Sequence, residues 1–198
     1  MSVHKPVTQT GIYFITFTCH QWQPLIEQTK GYDLFYNWFT LLAGNGHFVN
    51  AYVLMPNHLH LLMFFAGGKQ SLNTIIGNGK RFLAYEMVKR LTRQNETALL
   101  NRLQLAVQVK DKSRGKKHEI WESSFDVKEC RTEQFIMQKL NYIHNNPCSG
   151  KWKLAESAIQ YDHSSASFYI SGKHLLYAVK DYREFMSFDF DEKNMTIP

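Results

Sequence analysis

Apolar and polar positions alternate along "GIYFITFTC" (residues 11–19), and the run is rich in aromatic and β-branched side chains, so it reads as a strand. The period then changes. "KGYDLFYNWFTLLAG" (30–44) sets Leu34, Phe35, Trp38, Leu41 and Leu42 at helical spacing, with Gly44 and Gly46 marking its end. "HFVNAYVLM" (47–55) and "NHLHLLMFF" (57–65) are two more strands, with Pro56-Asn57 as the turn or bulge between them. The second is apolar nearly throughout, which suits a central strand. A long helix is predicted from Ser71, its cap, to about Leu91, with Gly77 and Gly79 weakening its first part. Residues 93–118 are polar, with a short helix expected over about 97–107. "EIWESSFDVKEC" (119–130) is read as a further strand. "TEQFIMQKLNYIHNNP" (132–147) opens on Thr132 as cap, carries Phe135, Ile136, Leu140 and Ile143 on one face, and stops before Pro147. The following segments are mixed, and "DFDEKNMTIP" (189–198) reads as a tail. The order is strand, helix, two strands, helix, strand, helix: an α+β pattern, with an antiparallel sheet carrying helices on one face.

A chain of 198 residues with an ordinary apolar fraction and many aromatics is expected to fold around a real core. No run of eighteen apolar residues would span a membrane, and "MSVHKPVTQTG" has no apolar signal region. Cys19, Cys130 and Cys148 lie far apart and form no CxxC pair, which fits a reducing cytoplasm. The formal charge of +6 favours an anionic partner, nucleic acid first. Much of the charge is concentrated. Lys110, Lys112, Arg114, Lys116 and Lys117 crowd one Ser- and Gly-containing loop, and Lys80, Arg81, Lys89, Arg90 and Arg93 load the long helix. Together they could form a phosphate track; a solvated face is the plain alternative. Trp121, Trp152 and Tyr161 are aromatics that could stack on bases or serve the core.

Within the third strand, His58 and His60 are separated by one leucine. Residues i and i+2 of a strand share a face, so both imidazoles project together and can converge on one cation. Two ordinary hydrogen-bonded histidines are the alternative. Tyr142 and Asn146 lie four apart on the later helix, presenting a phenol and a carboxamide on one face. The carboxamide oxygen suits a hard cation and the phenol is a candidate nucleophile, although on this stretch alone a packed aromatic and a helix stop is the plainer reading.

"MPNHLHLLM", followed much later by "YIHNNP" and "YDHSSASFY", resembles the IS200-like transposase family, and within it the REP-associated tyrosine transposases (the RAYT branch) of the HUH endonucleases. The resemblance covers about residues 10–170. It implies a ferredoxin-like α+β fold with the histidine pair on a central strand. It also implies cleavage of single-stranded DNA by one tyrosine with a divalent cation. Residue by residue, His58 and His60 match the metal-binding pair, Tyr142 the nucleophile, and Asn146 the polar metal-contacting side chain one turn later. Pro56 and Asn57 match the entry to the strand. On this reading residues 1–170 form the catalytic domain, with a basic insertion around 93–118, and 171–198 form a C-terminal extension. After Pro147, "CSGKWKL" departs from the family pattern, as does "FDVKEC", so a preferred DNA sequence does not carry over.

The resemblance implies Mg2+ or Mn2+ as cofactor, held by His58, His60 and Asn146, and a 5′-phosphotyrosine intermediate in DNA transposition, at hairpin or REP-like sequences. One tyrosine per chain allows one covalent link at a time, so strand exchange needs a homodimer or two successive events. No base for Tyr142 is evident, since His144 at i+2 points to another face. The alternatives are a domesticated relative that holds hairpin DNA without cutting it, an initiator nuclease of the HUH class, and an unrelated metal hydrolase. An initiator would usually carry further domains, and a hydrolase would want carboxylates near the histidines.

Overall fold

A computed structural model of the chain describes residues 6–150 and 152–186; the predicted tail at 189–198 and the first five residues lie outside that range. Four strands form one antiparallel sheet: β1 (Gly11–Thr18), β2 (Phe48–Leu54), β3 (His58–Phe65) and β4 (Asp126–Glu129), in the order β2-β3-β1-β4. With α2 (Tyr32–Gly44) between β1 and β2, and α3 (Leu72–Arg93) between β3 and β4, this is the ferredoxin-like order βαββαβ. The remaining helices are α1 (Leu25–Gln28), α4 (Thr97–Leu105), α5 (Val109–Lys112), α6 (Glu133–Asn145) and α7 (Ala166–Ser171).

β3 pairs with β1 and β2, and every one of its residues is buried, as its apolar run requires. Its two faces enter different cores. Leu59, Leu61, Met63 and Phe65 join Tyr13, Ile15 and Phe17 of β1 beneath α2 and α3. The two crossover helices thus share one face, as expected. Leu62 and Phe64 face the other way, with Ile12 and Phe14, and there α6 covers them through Ile136, Leu140 and Ile143. The histidine pair lies on that second face, so α6 has to cross it too.

Local signals set the ends of both long helices. Ser71 Oγ accepts from the Thr74 amide and Thr132 Oγ1 from the Phe135 amide. At Asn50 the β2–β3 register slips by one residue, and the freed side chain donates to the Lys180 carbonyl at 3.0 Å. The strand expected over 119–130 is shorter. Only Asp126–Glu129 pair with β1, and Trp121 makes one isolated bridge to Cys19. Trp121 turns inward instead, its ring 5.1 Å from that of Phe17 and its indole donating to the Lys80 carbonyl. The polar 93–118 segment is anchored by buried Leu99, Leu103 and Val107. Within the described residues 171–186, Tyr182 and Phe185 are buried in the second core, Phe185 stacked 4.3 Å from Phe64. Among the described residues no helix is long and apolar enough to cross a membrane.

Candidate active site

The site forms where β3 begins. Strand alternation turns His58 and His60 onto the α6 face and Leu59 onto the other. Their rings lie 4.7 Å apart, and both residues are almost fully enclosed. Each imidazole has its Nδ1 engaged. The Asn57 carboxamide oxygen lies 2.7 Å from Nδ1 of His58, and Thr16 Oγ1, opposite on β1, lies 2.7 Å from Nδ1 of His60. Asn57 is itself held: its Nδ2 donates to the Trp22 carbonyl, and its own carbonyl accepts from the Cys19 amide. The Pro56-Asn57 turn is therefore an orienting device for the first histidine. Burial lowers the pKa of His58 to about 4, opposed by the nearby Asn146 carboxamide, which favours the protonated ring. Burial lowers His60 to about 3, helped by the neighbouring His58 and by Lys139. Both rings are neutral at pH 7, the form in which imidazole ligates a cation.

α6 brings the other two residues. Its apolar stripe seats on the sheet, and the helix face next to that stripe leans over the histidines. The Tyr142 ring lies 4.9 Å from that of His60 and edge-on to Phe14 at 6.0 Å. Tyr142 remains half exposed. One turn on, Asn146 caps the helix in αR geometry and its carboxamide lies beside the His58 ring. All four residues singled out in the sequence thus meet at one end of the sheet. His144 does point elsewhere: it is buried, its Nε2 3.0 Å from Ser165 Oγ.

The donor set fits a divalent cation, with two neutral imidazoles whose Nδ1 atoms are already oriented and one carboxamide. Among the described residues no group of three His, Cys, Asp or Glu side chains could hold a metal, so a cation here depends on Asn146 or on a bound substrate.

Two neighbours were not singled out in the sequence. Lys139, three residues before Tyr142, holds its ammonium 4.9 Å from the Phe14 ring centroid and 6.0 Å from that of Tyr142. Among the described residues it has no carboxylate partner. The i, i+3 spacing was the available signal. Trp22, 62 % exposed, lies edge-on to His58 at 5.8 Å; it ends a short 3-10 turn, His20–Trp22, that no periodicity marks.

The basic residues separate into two groups. Lys80 is buried: its ammonium donates to the carbonyls of Glu122 and Ser124 and lies over the rings of Phe17 and Phe125. Arg90 forms a two-pronged pair with Asp33, at 2.8 and 2.5 Å, and reaches the Lys30 carbonyl. Lys116 is paired with Glu119 and Lys89 with Glu86. Lys80 and Arg90 are tied into the fold, whereas Lys116 and Lys89 stay exposed, each paired with a carboxylate three residues away along the chain. Arg81, Lys110, Lys112, Arg114 and Lys117 are exposed. Of the three aromatics, Trp121 is buried, Trp152 packs against the second core, and Tyr161 donates to the Leu54 carbonyl at 2.7 Å.

No family model matches the chain, and no curated protein is similar to it. Among solved structures, a REP-associated tyrosine transposase bound to a REP hairpin is similar over 87 % of each chain, at 17 % identity and a TM-score of 0.55. A chain from Deinococcus radiodurans, provisionally described as a transposase, is 18 % identical over 73 % of this chain and 97 % of its own, at a TM-score of 0.41. The first of these likenesses establishes the architecture: the chain has the fold of a REP-associated tyrosine transposase.

Proposed function

We propose that the protein is a member of the IS200-like, REP-associated branch of tyrosine transposases: a single-stranded DNA endonuclease and strand transferase acting on hairpin DNA. The observation that carries this reading is the convergence of Tyr142 and Asn146 from α6 upon His58 and His60 of β3. The likeness to a hairpin-bound transposase supports hairpin DNA as the partner class.

In this reading Tyr142 Oη attacks phosphorus. The P–Oη bond forms, the P–O3′ bond breaks, and the departing oxygen gains a proton to leave a free 3′-OH and a 5′-phosphotyrosine. The phosphodiester energy is kept in that link, so rejoining needs no nucleotide cofactor. Two neutral imidazoles and the Asn146 carboxamide would hold Mg2+ or Mn2+, which when bound supplies Lewis-acid polarisation of the phosphoryl oxygen. Asn57 and Thr16 keep the imidazoles in orientation. Lys139 sets a fixed positive charge beside the phenol and the incoming phosphate, where negative charge develops. The phenol's half-exposed position lets its proton pass to water.

The test is incubation of labelled single-stranded hairpin DNA with Mn2+, followed by denaturing electrophoresis. Wild type should yield a protein–DNA band that Tyr142→Phe and a chelator both abolish. The hydroxyl of Tyr142 has no hydrogen-bond partner among the described residues, so the phenylalanine variant keeps the fold. Tight hairpin binding without a covalent band would instead identify a non-cleaving binding protein.

A further inference from the structure

On the crossover-helix side of the sheet, α3 and the 114–125 segment enclose a cleft of about 480 Å3. Its floor is apolar and partly aromatic: Ala84 and Val88 from α3, with Ile120, Trp121 and Phe125 opposite. Its rim is basic. Arg81, Arg114 and Lys117 stand around the mouth, and among the described residues none has a carboxylate partner. Tyr85 is also at the mouth, 68 % exposed.

The wall is built rather than incidental. Lys80 ties the backbone of Glu122 and Ser124 to α3, and the Trp121 indole returns a hydrogen bond to the Lys80 carbonyl. The buried lysine thus closes one side of the cleft. The same wall reaches the candidate active site. Glu122, which lines the cleft, accepts from the Gln21 amide at 2.7 Å, and the next residue, Trp22, lies against His58.

An apolar floor, an exposed aromatic and three cations without a carboxylate partner match one ligand chemistry: an unpaired nucleobase with its phosphate. We propose that this cleft is a nucleotide subsite that holds an unpaired nucleotide of the bound strand, with the base against Tyr85 and Phe125 and the phosphate toward Arg114 and Lys117. The strand would pass Trp22 on its way to the histidines. This rests on the nuclease reading for the direction of the strand, but base binding in the cleft can be measured without cleavage.

The experiment uses the full chain and fluorescein-labelled oligo-dT, followed by anisotropy across a salt series. A parallel photo-crosslinking arm carries 5-iododeoxyuridine in the same oligonucleotide. Tyr85→Ala should weaken binding about 5- to 150-fold, the range for losing one stacked base. The exposed position of Tyr85 keeps that variant folded, which a thermal melt verifies. Arg114→Gln with Lys117→Gln should lower the slope of log affinity against log salt by about 1.4, from ~0.7 per phosphate contact on a single strand. Crosslinks should map to Tyr85 or Phe125. Equal binding by wild type and Tyr85→Ala, or equal competition by polyglutamate and by unlabelled oligo-dT, overturns the subsite. The Tyr142 adduct is scored separately. An adduct with no Tyr85 dependence refutes the subsite and leaves the nuclease standing. Tyr85-dependent binding and crosslinking without an adduct refutes the nuclease and leaves the subsite.

Discussion

Gly77 and Gly79 sit two residues apart in α3, and the structure assigns their alanine variants opposite signs. A Cβ on Gly77 meets nothing within 4 Å. Alanine there gains the helix preference of about 1 kcal/mol, so Gly77→Ala should raise stability by about that amount. A Cβ on Gly79 would lie 2.5 Å from Nε1 and 2.6 Å from Cζ2 of Trp38. Ordinary carbon contacts begin near ~3.5 Å, so the indole must retreat by roughly 1 Å. Phe17 and Phe39 pack against it at ring separations of 6.1 and 5.7 Å, and α2 fixes its backbone. Overpacking of this kind costs about 1–3 kcal/mol, which exceeds or offsets the propensity gain. Gly79→Ala should therefore come out about 1–3 kcal/mol less stable than Gly77→Ala. In a domain of this size that is a melting difference of several degrees, at roughly 2–4 °C per kcal/mol. Urea unfolding of the two variants beside wild type decides it. Gly79 lies on the face away from the histidines and outside the cleft that α3 forms with the 114–125 segment, so hairpin cleavage should be unchanged in its variant. If Gly79→Ala is as stabilising as Gly77→Ala, the close approach of α3 to Trp38 is wrong.

Lys80→Met should destabilise the fold while leaving the salt dependence of DNA binding unchanged, because its ammonium serves two loop carbonyls rather than phosphate; a lower salt slope at unchanged stability would reverse that assignment. Lys139→Met keeps a side chain of similar length but removes the charge that lies over Phe14 and Phe135, and should slow adduct formation at saturating DNA by about ten-fold or more, with recovery in Lys139→Arg; an unchanged rate would remove Lys139 from the chemistry. Acid should destabilise the protein below about pH 6.5. His58, His60 and His144 have folded pKa values depressed by burial to about 4, 3 and 4, so the unfolded chain takes up protons first as pH falls. Their contribution is complete above the unfolded value and is lost as pH drops toward 4, up to roughly 3 kcal/mol for one ring. A urea midpoint that is flat from pH 7 to 4 would contradict the burial of these rings.

Some features of this protein are properties of a short stretch of chain, and these were legible in the sequence. Period-2 alternation puts His58 and His60 on one face whatever surrounds them. A spacing of four does the same for Tyr142 and Asn146 on α6. Ser71 and Thr132 cap the helices that follow them because a cap needs only its own next three residues. The order of elements already favoured an antiparallel α+β sheet, and the family resemblance implied its ferredoxin-like form. Other features depend on what the chain meets far away. Lys80 and Arg81 are neighbours in sequence, yet one is buried under Phe17 and Phe125 and the other is exposed, because the 119–125 segment turns Trp121 inward over α3. Gly79 and Gly77 look alike until Trp38 arrives from α2. Lys139 matters only because α6 lands on the second face of the sheet, above Phe14. Secondary structure and shared faces follow from periodicity along the chain. Desolvation, charge pairing and the meeting of α6 with β3 are set by contacts between residues dozens of positions apart, so only the tertiary structure could decide them.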